Sequence, residues 1–164
     1  MKMKYMKEIK NNNAKYDLDF NKLAIILYDF YNDSTKEGFN RQHQDFNDLS
    51  ENIQRANLKQ VEFIHEMLKS INYEIVPLND KREEVENFSY EELQDLAKVQ
   101  HDEWVQEYIL EGWSYGYHKD INKKMNQYLV PWRNLPEFIQ DKVLELIENI
   151  PKILKIGGMK IVKS

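Results

Sequence analysis

The stretch from Pro131 to Val162, PWRNLPEFIQDKVLELIENIPKILKIGGMKIV, has a counterpart 86 positions upstream. Laid over it without a gap, Asp45 to Val76 reads DFNDLSENIQRANLKQVEFIHEMLKSINYEIV, and eleven of the 32 positions are identical. The identities include Leu49/Leu135, Ile53/Ile139, Leu58/Leu144, Ile64/Ile150, Leu68/Leu154 and Val76/Val162. Most are apolar and fall at steps of three, four or whole turns, the spacing of one buried helix face. Phe46 overlies Trp132, so each copy keeps an aromatic just ahead of its helix. A pattern this regular reads as a duplication.

Working outward, the halves register again at a shift of 73, where LAIILYDFY (Leu23 to Tyr31) lies over LAKVQHDEW (Leu96 to Trp104). Tyr31 therefore overlies Trp104. The shift grows from 73 to 86, so the second half holds 13 more residues between its two helices, and these carry GWSYG. The expected fold is mainly α: a pseudo-twofold pair of helix hairpins with short terminal β-strands. Those strands are YEIV and MKIV, which end the two halves and can pair with each other. The organisation is a tail over 1–17, a plain first half over 18–78, a charged linker over 79–88 and an elaborated half over 89–164. The connector LNDKREEVEN (Leu78 to Asn87) reads as a solvated link.

Local signals agree with two helices per half. Ser89 and Glu92 have capping-box spacing, flanked by Phe88 and Leu93 as a hydrophobic staple. The helix that follows carries Leu93, Leu96, Ala97, Trp104 and Tyr108 on one face and stops at Gly112. Asp48 with Glu51, and Asn134 with Glu137, read as matching caps for the second helices, with Pro136 in a first turn that tolerates it. Pro151 is expected to kink or split the later helix, whereas its counterpart His65 would not. Gly157-Gly158 ends that helix.

Composition narrows the function. A 41% hydrophobic and 31% charged chain describes a globular domain, and a net charge of −5 gives no overall field to attract a DNA or RNA polymer. Cysteine is absent, which excludes disulfides, thiolate metal sites and thiol nucleophiles. The histidines are scattered; after His65-Glu66 a lysine, Lys69, stands where a zincin helix needs its second histidine. His101, Asp102 and Glu103 are adjacent on a helix and point in different directions, so they cannot ring one metal. No run is long enough for a membrane span, and the lysine-rich start lacks the apolar segment of a signal peptide, so the cytoplasm is the expected location.

The segment LAKVQHDEW…EGWSYGYHKDINKK…YLVPWRNLPE resembles the ryanodine-receptor repeat, the RyR domain family. The matching elements are His101 and Trp104, then Gly112, Trp113, Tyr115 and Gly116, then Asp120, Lys123 or Lys124, Leu129, Val130, Pro131, Trp132, Leu135 and Pro136. Lys119 stands where the family pattern has arginine, and lysine lacks the planar guanidinium fork. The resemblance implies a full repeat over roughly residues 90–162, preceded by a degenerate copy of the kind that accompanies it in bacterial and phage proteins. It also implies a non-catalytic role, no cofactor, and an aromatic cleft between repeats similar to an adenine-nucleotide site. Such a module is expected to sense a signalling nucleotide or, as a phage sponge, to sequester it.

The candidate ligand-binding residues are Tyr31, His101, Trp104, Trp113, Tyr115, Lys119, Asp120, Lys124, Trp132 and Arg133. Trp104 is expected as a stacking wall facing Tyr31, with His101 one turn away on the same cleft. Lys119, Lys124 and Arg133 would meet phosphates. Each has a plain alternative: Trp104 as core, Trp113 and Tyr115 as loop-shaping aromatics beside glycines, Trp132 as packing shared with Phe46, and Asp120 as a turn residue. A competing reading makes the same aromatic face a scaffold that packs against another protein or a second copy of the chain.

Overall fold

The computed structural model describes residues 18–32 and 45–164. The expected 1–17 tail lies outside them. The protein is mainly helical, with a few short strands. In chain order it has α1 (Phe20–Asn32), a 3-10 turn (Phe46–Asp48), α2 (Glu51–Ser70), β1 (Tyr73–Pro77) and α3 (Tyr90–Leu110). Then come β2 (Ser114–Tyr115), β3 (Met125–Asn126), a second 3-10 turn (Trp132–Asn134), α4 (Glu137–Glu148), α5 (Ile150–Ile156) and β4 (Met159–Lys163). Among the described residues, no helix is long and apolar enough to cross a membrane.

The 86-residue shift carries over from letters to backbone. The 3-10 turn at Phe46–Asp48 recurs at Trp132–Asn134, the start of α2 at Glu51 recurs at Glu137, and β1 recurs as β4. The helix ends match in the same way. Asn72 (φ 62) and Gly158 (φ 76) are both left-handed, and their N–H groups donate to the carbonyls of Lys69 and Lys155, each at 3.0 Å. Asparagine tolerates that conformation better than other side chains, so a glycine is not required at the first site. The two copies differ where Pro151 replaces His65. Proline cannot donate to an i−4 carbonyl, so the second copy breaks at Asn149 into α4 and α5, whereas α2 runs unbroken.

The expected caps are displaced. Asp48 and Asn134 end the two 3-10 turns, and α2 is capped instead by Ser50, whose hydroxyl accepts the Ile53 N–H at 3.4 Å. The counterpart of Ser50 is Pro136, which immediately precedes α4 and offers no side-chain cap. The aromatic turn ahead of each helix shifts the helix start two residues beyond the cap expected from spacing. Ahead of α3, the capping box is present in both directions, with Ser89 N–H donating to Glu92 at 2.8 Å and Glu92 N–H to Ser89 at 3.1 Å. Tyr73 also donates to Glu92, which ties β1 to the start of α3. That hydrogen bond, with burial and the Glu92 charge, pushes the Tyr73 hydroxyl up to about 12. Burial pushes the Glu92 carboxyl up, but the bonds from Tyr73 and Ser89 outweigh it and hold it below its ordinary value.

β1 and β4 pair antiparallel, with Ile75 opposite Ile161 at the centre of the ladder. Ile75 and Ile161 are counterparts at the 86-residue shift, so the ladder reads the same from either strand. Around it one core joins Leu23 and Leu27 of α1, Ile64 and Leu68 of α2, Leu96 of α3, and Ile150 and Leu154 of α5. Burying each such side chain contributes about 1.5–3 kcal/mol. Not every repeated apolar position is inside: Ile53 is 47% exposed.

The connector is solvated along most of its length, with Leu78, Asn79, Lys81, Arg82, Glu83, Glu86 and Asn87 exposed, but it is not a free link. Val85 N–H donates to the Ile161 carbonyl at 2.8 Å, so this segment runs along β4, and Phe88 is buried. Lys160, itself buried, holds the carbonyls of Asp80 and Arg82 through its ammonium, each at 2.7 Å. Arg82 pairs with Asp80 and Glu74, and Lys155 reaches Glu84 at 3.3 Å. The connector is thus both solvated and pinned, its backbone by Lys160 and some of its charges by ion pairs.

Lys160→Met should expose that anchoring. Two part-buried hydrogen bonds from a charged donor are lost, and a chemical-denaturation curve should show a total loss of about 1–3 kcal/mol. An unchanged midpoint would show that the Lys160 ammonium does not anchor the connector. A second expectation concerns His65, which is buried against Phe20 (5.5 Å between ring centroids). Burial lowers its proton affinity below the ordinary value of 6.5, with Lys69 adding to this and Glu66 and Glu74 opposing. The unfolded chain therefore takes up the proton first as pH falls below 6.5, and stability is lost from there downward. Melting temperature should fall between about pH 7 and about pH 5.5, less steeply in His65→Gln. Parallel profiles for the two proteins would rule His65 out as the source.

Candidate functional site

On α3, His101, Trp104 and Tyr108 fall at steps of three and four and form one stripe. The stripe becomes a continuous aromatic row. Trp132 lies 6.1 Å from His101, His101 5.6 Å from Trp104 at an interplanar angle of 22°, Trp104 4.4 Å from Tyr108, and Tyr108 5.2 Å from Trp113, between ring centroids. All three tryptophans of the chain are in it. His101 is buried and within hydrogen-bond distance of the Val130 carbonyl through Nε2, at 2.6 Å. It joins α3 to the segment that leads into the second 3-10 turn, so part of its role is structural.

The middle of the row faces an open groove of about 940 Å³ between α2, α3 and α4. From α3 come Gln100, His101, Trp104 and Glu107; from α2, Arg55, Lys59 and Phe63; from α4, Ile139, Lys142 and Val143. Tyr128 completes the aromatic lining. The charges are segregated. Glu103 and Glu107 on α3 and its C-cap Glu111, four residues apart, form one row, while Arg55, Lys59 and Lys142 stand on α2 and α4. Arg55 also meets Glu51 one turn away, at 4.0 Å and in solvent. An anion in this groove is attracted to the α2 and α4 walls and repelled from α3.

Of the ten residues singled out from the sequence, the groove brings together His101 and Trp104. Tyr31 is not among its lining residues. Its hydroxyl donates at 3.5 Å to the carbonyl of Leu146, which itself lines the groove, and among the described residues Phe63 of α2 is the first-half aromatic in the lining. Burial, with the nearby Glu145 charge, pushes the Tyr31 hydroxyl up to about 12. Trp113 and Trp132 stand at the two ends of the aromatic row, outside the lining.

The elaborated loop is held by its own polar groups. Lys124 donates its ammonium to the Glu111 carbonyl at 2.7 Å and so caps the C-terminus of α3. Asp120 accepts the Lys123 N–H at 3.1 Å and exchanges backbone bonds with Met125. The Lys119 N–H goes to the Gln127 side chain at 3.1 Å. Arg133 is exposed on the second 3-10 turn, and Tyr115 is exposed beside Tyr117. None of Lys119, Asp120, Lys124, Arg133 or Tyr115 lines the groove.

Residues 76–163 match the RyR domain family. The chain belongs to that family. No curated protein matches the chain. The RyR match takes in the last part of β1, the connector and everything through β4, including all three tryptophans. Arg55, Lys59 and Phe63 lie before it. The RyR segment thus supplies the aromatic and acidic wall of the groove, while α2, outside the matched span, supplies most of the basic one. Arg55, Lys59 and Phe63 were legible only as spacing: they fall at steps of four on α2, away from Ile64 and Leu68. The face of α2 that meets α3 is a tertiary outcome.

The turn that ends α3 sets where Trp113 goes. Trp113 N–H donates to the Tyr108 carbonyl at 2.9 Å and Gly112 N–H to Ile109 at 3.0 Å, with Gly112 at φ 91. A side chain at that φ is strained by about 1–3 kcal/mol. Gly112→Ala should therefore lower the melting temperature by several degrees and change tryptophan emission as Trp113 leaves Tyr108. Wild-type stability and emission in this variant would show that the turn does not position the row.

Proposed function

We propose that this RyR-domain protein is a non-catalytic module that binds a small nucleotide-derived ligand, of adenine type, in the groove beside Trp104. The observation that carries the reading is a tryptophan face in an open groove with three cations on the walls across from it. A base stacked on an aromatic side chain gains about 1–3 kcal/mol, and each charged hydrogen bond to phosphate about 1.5–3 kcal/mol. Together these outweigh the several kcal/mol of freedom lost by a small ligand. The groove's volume, about 940 Å³, is within the range of ligand sites. In this reading the phosphates go to Arg55, Lys59 and Lys142 in place of Lys119, Lys124 and Arg133. The carboxylates on α3 disfavour a nucleic-acid polymer, which cannot keep its backbone clear of them.

The architecture behind this reading is a degenerate first repeat followed by a full RyR repeat, of bacterial or phage type. A local twofold would pass between Ile75 and Ile161. Its support is the common 86-residue shift of sequence, element boundaries and helix ends, with a ladder centred on two counterparts. A cytoplasmic sensor or sponge for a signalling nucleotide is the role this would serve. A second reading, an interaction scaffold, is favoured by the exposed side chains of Tyr115, Tyr117 and Ile121 on the elaborated loop.

A thermal-shift titration decides between them, using ATP, AMP, ADP-ribose and its cyclic forms, and cyclic di- and oligonucleotides. A ligand at a hundredfold excess over its dissociation constant adds about 2.7 kcal/mol, which in a domain of this size raises the midpoint by roughly 5–11 °C. One ligand should do so in wild type and not in Trp104→Ala. A flat panel sinks the nucleotide reading. Concentration-dependent association in sedimentation, abolished by Tyr117→Ser, would then establish the scaffold.

A further inference from the structure

His101 is bonded through one ring nitrogen only, with Nε2 2.6 Å from the Val130 carbonyl. A carbonyl oxygen can only accept, so Nε2 carries the proton, and in the neutral ring Nδ1 holds the free lone pair. Turning the ring over would press a carbon against the carbonyl at that distance, so the two nitrogens are not interchangeable. Nδ1 has no hydrogen-bond partner among the described residues, and it is not enclosed either. His101 is 4% exposed and lines the groove, so the little surface it keeps opens there. Packing between Trp104 and Trp132 holds the ring in place. The α3 wall therefore offers the groove an acceptor of fixed position whose own proton is committed elsewhere.

We propose, on the strength of the nucleotide reading above, that His101 Nδ1 reads the edge of the base, and that the site takes bases with an N–H donor on that edge. The placement follows from the walls. His101 and Trp104 stand one turn apart on α3, whereas the cations that would meet phosphates stand on α2 and α4. Phosphates drawn to those walls leave the base as the part of the ligand nearest α3, with the ribose between. Adenine then presents its exocyclic amino group, a donor, to Nδ1. A purine without that group stacks on Trp104 as well, since every base has a face to stack, but it sets a C–H against the lone pair. The acceptor then gives up water for nothing in return. Hypoxanthine keeps a ring N–H, so the requirement is for an edge donor and inosine nucleotides satisfy it too.

The test is calorimetric titration of AMP and ATP against the mono- and triphosphate of purine riboside, which carry hydrogen in place of the amino group, into wild type and His101→Gln. The glutamine amide nitrogen reaches the position of Nε2 and keeps the Val130 bond, while nothing stands at Nδ1 to accept. Wild type should prefer the amino member of each pair by roughly five- to a hundredfold. In His101→Gln that preference should vanish while the purine riboside nucleotides bind as they do to wild type. A purely structural His101 would instead weaken all four ligands alike. Equal binding of both members by wild type, or a preference that survives in His101→Gln, overturns the role of His101 and leaves the nucleotide site standing. Absence of binding by all four nucleotides to wild type overturns both. The wild-type comparison does not depend on any variant folding.

Discussion

The antiparallel ladder between Tyr73–Pro77 and Met159–Lys163 joins the ends of two helices that lie far apart in the chain, and the rest of the fold is oriented by it. Antiparallel pairing fixes both direction and register, and both faces of this ladder are covered, since neighbouring residues of a strand point to opposite sides. Here that register puts Ile161 and Val162 at 0% exposure and Val76 at 1%. With the strands set, α2 and α5 enter the core from opposite ends of one ladder. α1 then packs on α2 and α5, and α3 on α4 and α2. The connector docks along the free side of β4 through Val85 and Lys160, so a short two-stranded sheet has one of its edges covered.

The groove follows from that arrangement. α3 packs on α4 through one part of its surface and touches α2 only lightly, so the stripe through Gln100, Trp104 and Glu107 stays partly open between them. The same aromatics that look like core in a helical wheel thus become a wall. Trp104 packs on His101 and Tyr108 along its own helix and keeps a surface toward the groove. A wall held rigid by neighbouring rings can receive a flat ligand at little conformational cost.

The residues added between the helices of the second half are tied into the loop and the aromatic row. Gly112 turns the chain, Trp113 extends the aromatic row, Lys124 closes the α3 carbonyls and Asp120 ties the loop to Met125. Gly116 belongs to the same economy of space, since a Cβ there would come within 2.4 Å of the Met125 side chain. A density of lysines beside aromatics is the usual outline of an anion site, and here at least one of those ammonium groups is already held by a backbone carbonyl. The cations that face the groove come from α2 and α4, where nothing in the local sequence marks them as a group.

The sequence by itself determined the helical class, the recurrence of elements at 86 positions, the pairing of YEIV with MKIV and the break at Pro151. These follow from periodicity and from backbone restrictions, which act over a few residues and can be read one segment at a time. It also determined membership of the RyR family and the placing of His101 and Trp104 on one stripe of α3. Tertiary structure alone decided which aromatic lines the groove with Trp104, Phe63 in place of Tyr31, and which cations do so, Arg55, Lys59 and Lys142 in place of Lys119, Lys124 and Arg133. It likewise decided that the charged connector is anchored. Each of these depends on which faces of separate helices meet, and that is set by the packing of the whole core around one ladder, not by the spacing within any one helix.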